Sequence, residues 1–305
     1  FFGLFDYSKP GPGVPRDAPP KSPFIVFFEI LQRKFWNFIK VNIMFNIFNL
    51  PAFIFGMFVM ISIFPPILAD AANESDAILS DLLLKFILLS LMMCIPMITT
   101  GPAQAGFTYI MRNYAREEHA FLWGDFKETA IKNMKQSIII SIVNSLLTFL
   151  MIFSIRAYLI LGSDNLIMNA GSAIMVVLFV IFAMMNMYIY PIMITFDLSI
   201  KQIYKNSLIF AIIKFLPNAG ILLISAFLVF ISFYFNTIIG IFIYILLTVS
   251  LIGFLTNFYV YPKLRKYMIS QIDEEDEEDE EDEEDEEDEE DEEDTSGKQE
   301  TGEEE

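Results

Sequence analysis

Six apolar stretches divide the chain, at roughly residues 41–68, 82–100, 137–161, 170–195, 219–236 and 238–260. Most are near or above the ~20 apolar residues that carry a helix across a bilayer. The polar residues between them alternate in kind. Lys9, Arg16, Lys21, Arg33, Lys34 and Lys40 precede the first stretch, and Arg112, Arg116, Lys127, Lys132 and Lys135 lie in the connection 101–136. Lys201, Lys205 and Lys214 lie in 196–218, and Lys263, Arg265 and Lys266 follow the last stretch. The opposite connections, 69–81, 162–169 and the turn near Asn236, hold no Lys or Arg. Basic residues are retained on the cytoplasmic side during insertion, so this alternation predicts six spans with both termini inside.

A second pattern precedes alternate spans. After Pro23, Phe24, Phe27, Phe28, Leu31, Phe35, Phe38 and Ile39 recur every three or four positions, against Glu29, Gln32, Arg33, Asn37 and Lys40. That spacing predicts an amphipathic helix lying on the membrane surface before the first span. Before the third span, Leu122, Phe126, Ala130 and Met134 oppose Lys127, Glu128, Lys132 and Lys135, with Asp125 placed as N-cap and Glu128 three positions later. Before the fifth, Asp197 is placed as the cap of a helix whose Ile200, Tyr204 and Leu208 oppose Lys201, Gln202, Lys205 and Asn206. The segments KQSII (135–139) and KNSLI (205–209) nearly coincide, and Pro96, Pro191 and Pro262 stand near the same end of alternate spans. The expected fold is an all-α integral membrane protein: six transmembrane helices in three hairpins, each preceded by a cytoplasmic amphipathic surface helix. Convergent membrane composition is the alternative source of the repeat.

Composition sharpens the outline. Hydrophobic residues make up 54% of 305 positions, 32 of them Phe, more than a soluble domain of this length would use. The formal charge of −19 belongs to the end of the chain, since Asp273–Asp294 is an unbroken acidic run. Residues 1–272 carry 19 Lys/Arg against 13 Asp/Glu, a mildly basic body suited to an anionic inner leaflet and no indication of nucleic acid. Three parts follow: a Pro/Gly-rich cytoplasmic lead, 1–23; a membrane domain, 24–272; and a disordered acidic tail, 273–305. The tail is a solvated extension or a contact for a basic partner. The first apolar segment is too long and too far along the chain for a cleavable leader, and a chain opening on Phe1 is read as a trimmed start.

The chemistry is sparse. None of the spans contains Asp, Glu or His, the groups that proton-coupled carriers place along their paths. Lys85 and Arg156 lie within about two turns of outer ends, where they snorkel to the headgroups or meet a substrate. Asn46, Asn49, Asn144, Asn186 and Asn257 can bond between helices or meet a sugar hydroxyl. Cys94 reads as a small buried hydrophobe, and His119 as a lone surface residue that makes neither a metal site nor a general base. There is no GxxxxGKS/T loop, HExxH or GxSxG, so no catalytic residue, metal site or cofactor is expected. Trp36 and Trp123 fall in the predicted surface helices as interface anchors or partner contacts. From Thr99 to Gly106, the small residues Gly101, Pro102, Ala103, Ala105 and Gly106 allow close backbone approach, to the Asp197 connection or to a partner helix, or else mark a simple bend.

The opening FFGLFDYSKPGPGVPRDAP, the helix FFEILQRKFWNFIKVN, the junction TTGPAQAGFTYIMRNYAREE with the following WGDF and KNMKQS, and the later FDLSIKQIYKNSLIFA together resemble the YesL family of bacterial integral membrane proteins. The likeness runs from residue 1 to about 268 with the elements in family order; the acidic tail departs from it. It implies a bacterial cell-membrane protein acting beside carbohydrate uptake, as an accessory subunit that binds or modulates the permease subunits of a carbohydrate ABC importer. No EAA-type segment marks this chain as the permease itself. The contact candidates are Trp123, Phe126, Lys127, Lys132, Lys135, Gly101, Pro102, Gly106, Asp197, Lys201 and Lys205, with anionic lipids as further partners. A stand-alone six-span carrier or channel for a small neutral solute is the rival expectation, and a bilayer-organising scaffold the third.

Overall fold

The computed structural model describes residues 21–63, 97–161, 166–234 and 236–269, and every regular element among them is helical. The lead up to residue 20, the acidic tail, most of the second apolar stretch, Lys85, Cys94, Pro96 and the connection 69–81 lie outside the described residues. The helices are α1 (Pro23–Arg33), α2 (Phe35–Ile63), α3 (Met97–Ala115), α4 (Leu122–Lys132), α5 (Met134–Leu161), α6 (Leu166–Thr195), α7 (Ile200–Ile213) and α8 (Phe215–Tyr234). Then α9 (Thr237–Ile243) runs through a π turn, Tyr244–Thr248, into α10 (Val249–Leu264) and a second π turn, Arg265–Ile269. Among the described residues, Met134–Leu159, Leu166–Thr195, Phe215–Tyr234 and Ile238–Ile269 are long and apolar enough to cross a membrane. Their outward residues, such as Leu150, Val177, Leu223, Phe227 and Phe242, are exposed apolar side chains that only a lipid solvent would cover cheaply. The chain is therefore a multi-pass membrane protein.

One joint recurs three times. Lys34 joins α1 to α2, Asn133 joins α4 to α5, and Lys214 joins α7 to α8. Their ψ angles are 14°, 12° and 35°, against about −42° in a helix. Each joint N–H still donates four residues back, to the carbonyls of Ile30, Thr129 and Phe210, at 2.9, 3.1 and 3.1 Å. Each joint carbonyl accepts from four residues on, the N–H groups of Phe38, Ser137 and Asn218. The axis turns at one residue while hydrogen bonding runs through, so a short helix is fastened to a long one without a loop.

The three joints support repeated units, but not on the segments that first suggest them. KQSII opens the long helix α5, after its joint, whereas KNSLI lies inside the short helix α7, before its joint. The first surface helix is also shorter than its apolar spacing predicts. It ends at Arg33, and Phe35 and Phe38 belong to α2, because the bend at Lys34 lets α1 fold back toward α3. There Lys34 donates to the Glu118 carbonyl at 2.8 Å and sits over the Tyr114 ring at 4.1 Å.

Two predicted caps move. Ser199, not Asp197, caps α7: Ser199 Oγ accepts from the Gln202 N–H, and Gln202 Oε1 accepts from the Ser199 N–H at 2.9 Å. That reciprocal box satisfies two orphan donors, which leaves Asp197 two residues outside the helix and exposed. Asp125 lies within the first turn of α4 rather than before it, and accepts from the Phe121 N–H at 2.8 Å.

The largest difference is α3. Its residues from Gly101 onward are expected as a connection, yet the helix continues through Pro102 to Ala115 and touches α1, α2, α4, α5, α6 and α10. It ends on Glu117 at φ 60°, where the Glu118 N–H returns to the Asn113 carbonyl at 2.8 Å, a left-handed stop of the kind usually built on glycine. Two buried clusters share α3 and α10. One joins Ile30, Phe38, Met111, Tyr114, Phe126 and Phe254; the other joins Ala105, Ile140, Tyr188, Ile192, Ile203 and Leu264.

Candidate functional site

The small residues of α3 set the spacing around it. A Cβ on Gly101 would overlap the Ser137 carbonyl of α5, and one on Gly106 would stand 2.5 Å from the Phe126 carbonyl of α4 and 2.9 Å from its ring. The Gly101–Gly106 run is thus a packing surface, and its partners are α5 and α4 rather than the Asp197 connection. That connection is held from two other sides. Arg112 donates to Thr195 Oγ1 at 2.9 Å and to the Ile194 carbonyl at 3.3 Å, and Gln136 donates to the Leu198 carbonyl at 2.7 Å. Burial, and then the nearby Arg116, pull the Arg112 guanidinium below its ordinary pKa, though an arginine keeps its proton throughout the physiological range.

With α3 drawn in on that side, its Gln104, Phe107 and Thr108 face a cavity of about 270 Å³. The other walls are Asn186 and Tyr190 of α6, Ser225 of α8, and Gly253, Thr256 and Asn257 of α10. Thr108 donates to the Gln104 carbonyl at 2.7 Å, and Asn257 donates to the Gly253 carbonyl at 2.8 Å while its buried Oδ1 has no partner among the described residues. A relay of side chains reaches the cavity from α7. Tyr204 donates to Asn144 Oδ1 at 2.6 Å, and Asn144 donates to Asn186 Oδ1 at 2.7 Å. Burial pushes the Tyr204 phenol up to about 12, so it remains a neutral donor. The lining residues carry no carboxylate, imidazole or ammonium. Such a site offers neutral hydrogen bonds to hydroxyl or amide groups. Among the described residues no group of His, Cys, Asp or Glu is placed to hold a metal.

Polar side chains also tie the spans together. Asn42 donates to the Tyr244 and Ile245 carbonyls at 3.0 and 2.8 Å, and Asn46 reaches the Ile245 carbonyl at 3.1 Å. These carbonyls belong to the π turn, whose widened winding frees acceptors for α2. Asn144 and Asn186 pair between α5 and α6 as their helix-to-helix reading expects, whereas Asn49 and Asn257 donate within their own helices. Asn42, Asn218 and Arg112 are absent from the sequence-based candidates. An amide at the edge of an apolar run was the available signal for the first two; nothing marked Arg112 as buried.

The contact candidates separate by exposure. Gly101, Gly106 and Phe126 are buried within the chain and Pro102 is half-buried, so the Phe126 ring is not a free docking group. Trp123 is exposed and stacks on Phe48 of α2 at 6.1 Å. Lys127, Lys132, Lys135, Asp197, Lys201 and Lys205 are exposed. Other charges are engaged: Arg33 with Glu117 at 3.1 Å, Arg116 with Glu118 at 2.7 Å and Lys21 with Glu29 at 2.7 Å. Lys34 is held below the usual lysine pKa by burial and by the adjacent Arg33. Burial pushes Tyr114, beneath Lys34, up to about 12. His119 is exposed, edge-on to Phe121.

Residues 77–155 match the model of a family described as "Protein of unknown function, DUF624", the grouping to which YesL proteins belong. No curated protein and no solved structure matches the chain.

Proposed function

We propose that this protein is an accessory membrane subunit of a carbohydrate ABC importer, with both termini cytoplasmic, and that it docks the permease subunits through lysines of α4, of the first turn of α5 and of α7. The supporting observation is that Lys127, Lys132, Lys135, Lys201 and Lys205 stand exposed on α4, the first turn of α5 and α7, while Phe126 of α4 and Ile203 and Phe210 of α7 anchor the short helices in the two buried clusters. With single-residue joints fixing α4 and α7 to their long helices, these charges form a pre-set pattern rather than mobile side chains on a loop, which lowers the ordering cost of binding. The importer as partner comes from the YesL resemblance, and ATP hydrolysis would belong to another chain.

Replacing Lys127, Lys132 and Lys135 together by Gln is expected to lower recovery of the permease in detergent pull-downs by roughly tenfold, from about 0.5 kcal/mol per exposed charge. The arginine triple should retain it. Equal recovery from both variants would end the docking assignment. The orientation has its own check. With Cys94 replaced by Ser, a cysteine at Leu166, an exposed residue at the start of α6, should react with an impermeant reagent in intact cells, and one at Lys127 should react only after lysis. Labelling of the Lys127 site from outside would invert the topology.

The cavity supports the second reading, a carrier for a small neutral solute, because its neutral amides and hydroxyls suit hydroxyl groups and it lies between long helices. Uptake of a labelled sugar by vesicles holding only this chain, abolished by Asn186→Leu, would establish that reading over the accessory one.

A further inference from the structure

A groove of about 360 Å³ runs between α2 and α4, lined by Lys40, Ile43, Met44, Ile47 and Phe48 of α2 and by Trp123 of α4. The α2 residues follow Lys40 at positions +3, +4, +7 and +8, which places them on one stripe covering about 12 Å of helix. The groove is built from below. Phe48 stacks on the buried Phe126 at 5.5 Å and on Trp123 at 6.1 Å, so the wall across from α2 is anchored in the core. Its upper surfaces are open: Lys40, Ile43, Ile47 and Trp123 are all exposed. Lys40 is the one charged lining residue, and it makes no ion pair or hydrogen bond among the described residues. Lys127, four residues beyond Trp123, is on the same side of α4 and is also exposed.

The order along α2 is a cation at Lys40, then the apolar Ile43, Met44 and Ile47, then Phe48 against the Trp123 indole. An amphiphile with an anionic head and a hydrocarbon chain has the complementary order. An ammonium at the basic end of α2 meets a phosphate, the apolar stripe takes a chain that would otherwise lie against bulk lipid, and the Trp123 indole closes the far end against Phe48. A packed helix from another protein would have to bring its own carboxylate to the level of Lys40.

We propose that this groove holds one anionic phospholipid of the leaflet at the basic end of the protein, with its phosphate on Lys40 and one acyl chain along Ile43, Ile47 and Phe48. Binding here is independent of permease docking, and it is tested on the purified chain alone. The protein has two tryptophans, so Trp36→Phe leaves Trp123 as the single reporter in the groove. The full chain is reconstituted in phosphatidylcholine vesicles containing a fixed share of brominated phosphatidylglycerol or brominated phosphatidylcholine. Brominated phosphatidylglycerol is expected to associate with the Trp123 site about fivefold more strongly, the scale set by one lysine near a charged surface. Lys40→Gln should abolish that preference, Lys40→Arg should keep it, and Lys132→Gln, away from the groove, should not change it. Equal quenching by both lipids, or a preference that survives Lys40→Gln, would reduce the groove to bulk lipid contact and overturn the proposal. Absence of quenching by either lipid would show a protein segment or a second copy filling the groove, and would overturn it equally. If Lys40→Gln fails to fold, loss of the preference in high salt, with Lys40→Arg still competent, decides the same point.

Discussion

Gly101→Ala is expected to destabilise the protein by roughly 2 kcal/mol or more, although alanine is the better helix former by about 1 kcal/mol. The new methyl would overlap the Ser137 carbonyl and its carbon, which are backbone atoms of α5 just after the Asn133 joint. A flexible side chain could swing aside; a helix backbone can only move as a unit, and moving α5 also shifts Gln136 away from the Leu198 carbonyl. Gly106→Leu should act in the same direction against Phe126, by detaching α4. Gly220→Ala is the matched control, because a Cβ there meets nothing within 4 Å, and it should be neutral or stabilising. Thermal unfolding in detergent followed by loss of the monodisperse peak distinguishes the cases. A Gly101→Ala protein as stable as Gly220→Ala would show that α3 and α5 are not in close contact.

The second large effect centres on Asn218, a fully buried amide in the first turn of α8. Its Oδ1 accepts from Tyr188 of α6 and from Tyr259 of α10, both at 2.7 Å, and its Nδ2 donates to the Phe210 and Ala211 carbonyls of α7 at 3.0 and 3.3 Å. One side chain thus closes the joint at Lys214 and links it to two other helices. Asn218→Leu keeps the volume but leaves two phenols and two carbonyls short of partners where water has little access. At about 1–3 kcal/mol for each stranded buried group, and with partial relaxation, the expected loss is about 3 kcal/mol or more. Tyr188→Phe in the Asn218→Leu background should recover part of it by removing one stranded hydroxyl. If the double variant is less stable than Asn218→Leu alone, Tyr188 gains its stability elsewhere and the node does not operate as drawn.

Periodicity reported what depends on solvent. The apolar stretches at 137–161, 170–195, 219–236 and 238–260 appear as helices of nearly those bounds, because a backbone in lipid has to satisfy its hydrogen bonds within its own segment. The short helices before α5 and α8 were equally legible, since Leu122, Phe126 and Ala130 or Ile200 and Tyr204 fall on one face whatever they pack against. What periodicity missed was close approach. In Gly101-Pro102-Ala103 the same residues serve a bend or a helix contact, and only their neighbours decide which. Pro102 could have ended α3, yet it lies inside the helix, which continues to Ala115.

By itself, then, the chain determined its membrane class, the alternation of connections with and without Lys or Arg, and the existence of the short amphipathic helices, all of which follow from how each residue partitions between water and lipid. Tertiary structure alone decided that 101–115 is a central helix, that Phe126 is core rather than contact, and that Asn218 and Arg112 are internal ties. Those outcomes rest on which carbonyl, ring or hydroxyl lies within about 3 Å of a given side chain. Most distances of that kind arise from residues about 20 to 200 positions apart, and local patterning along a chain does not encode them.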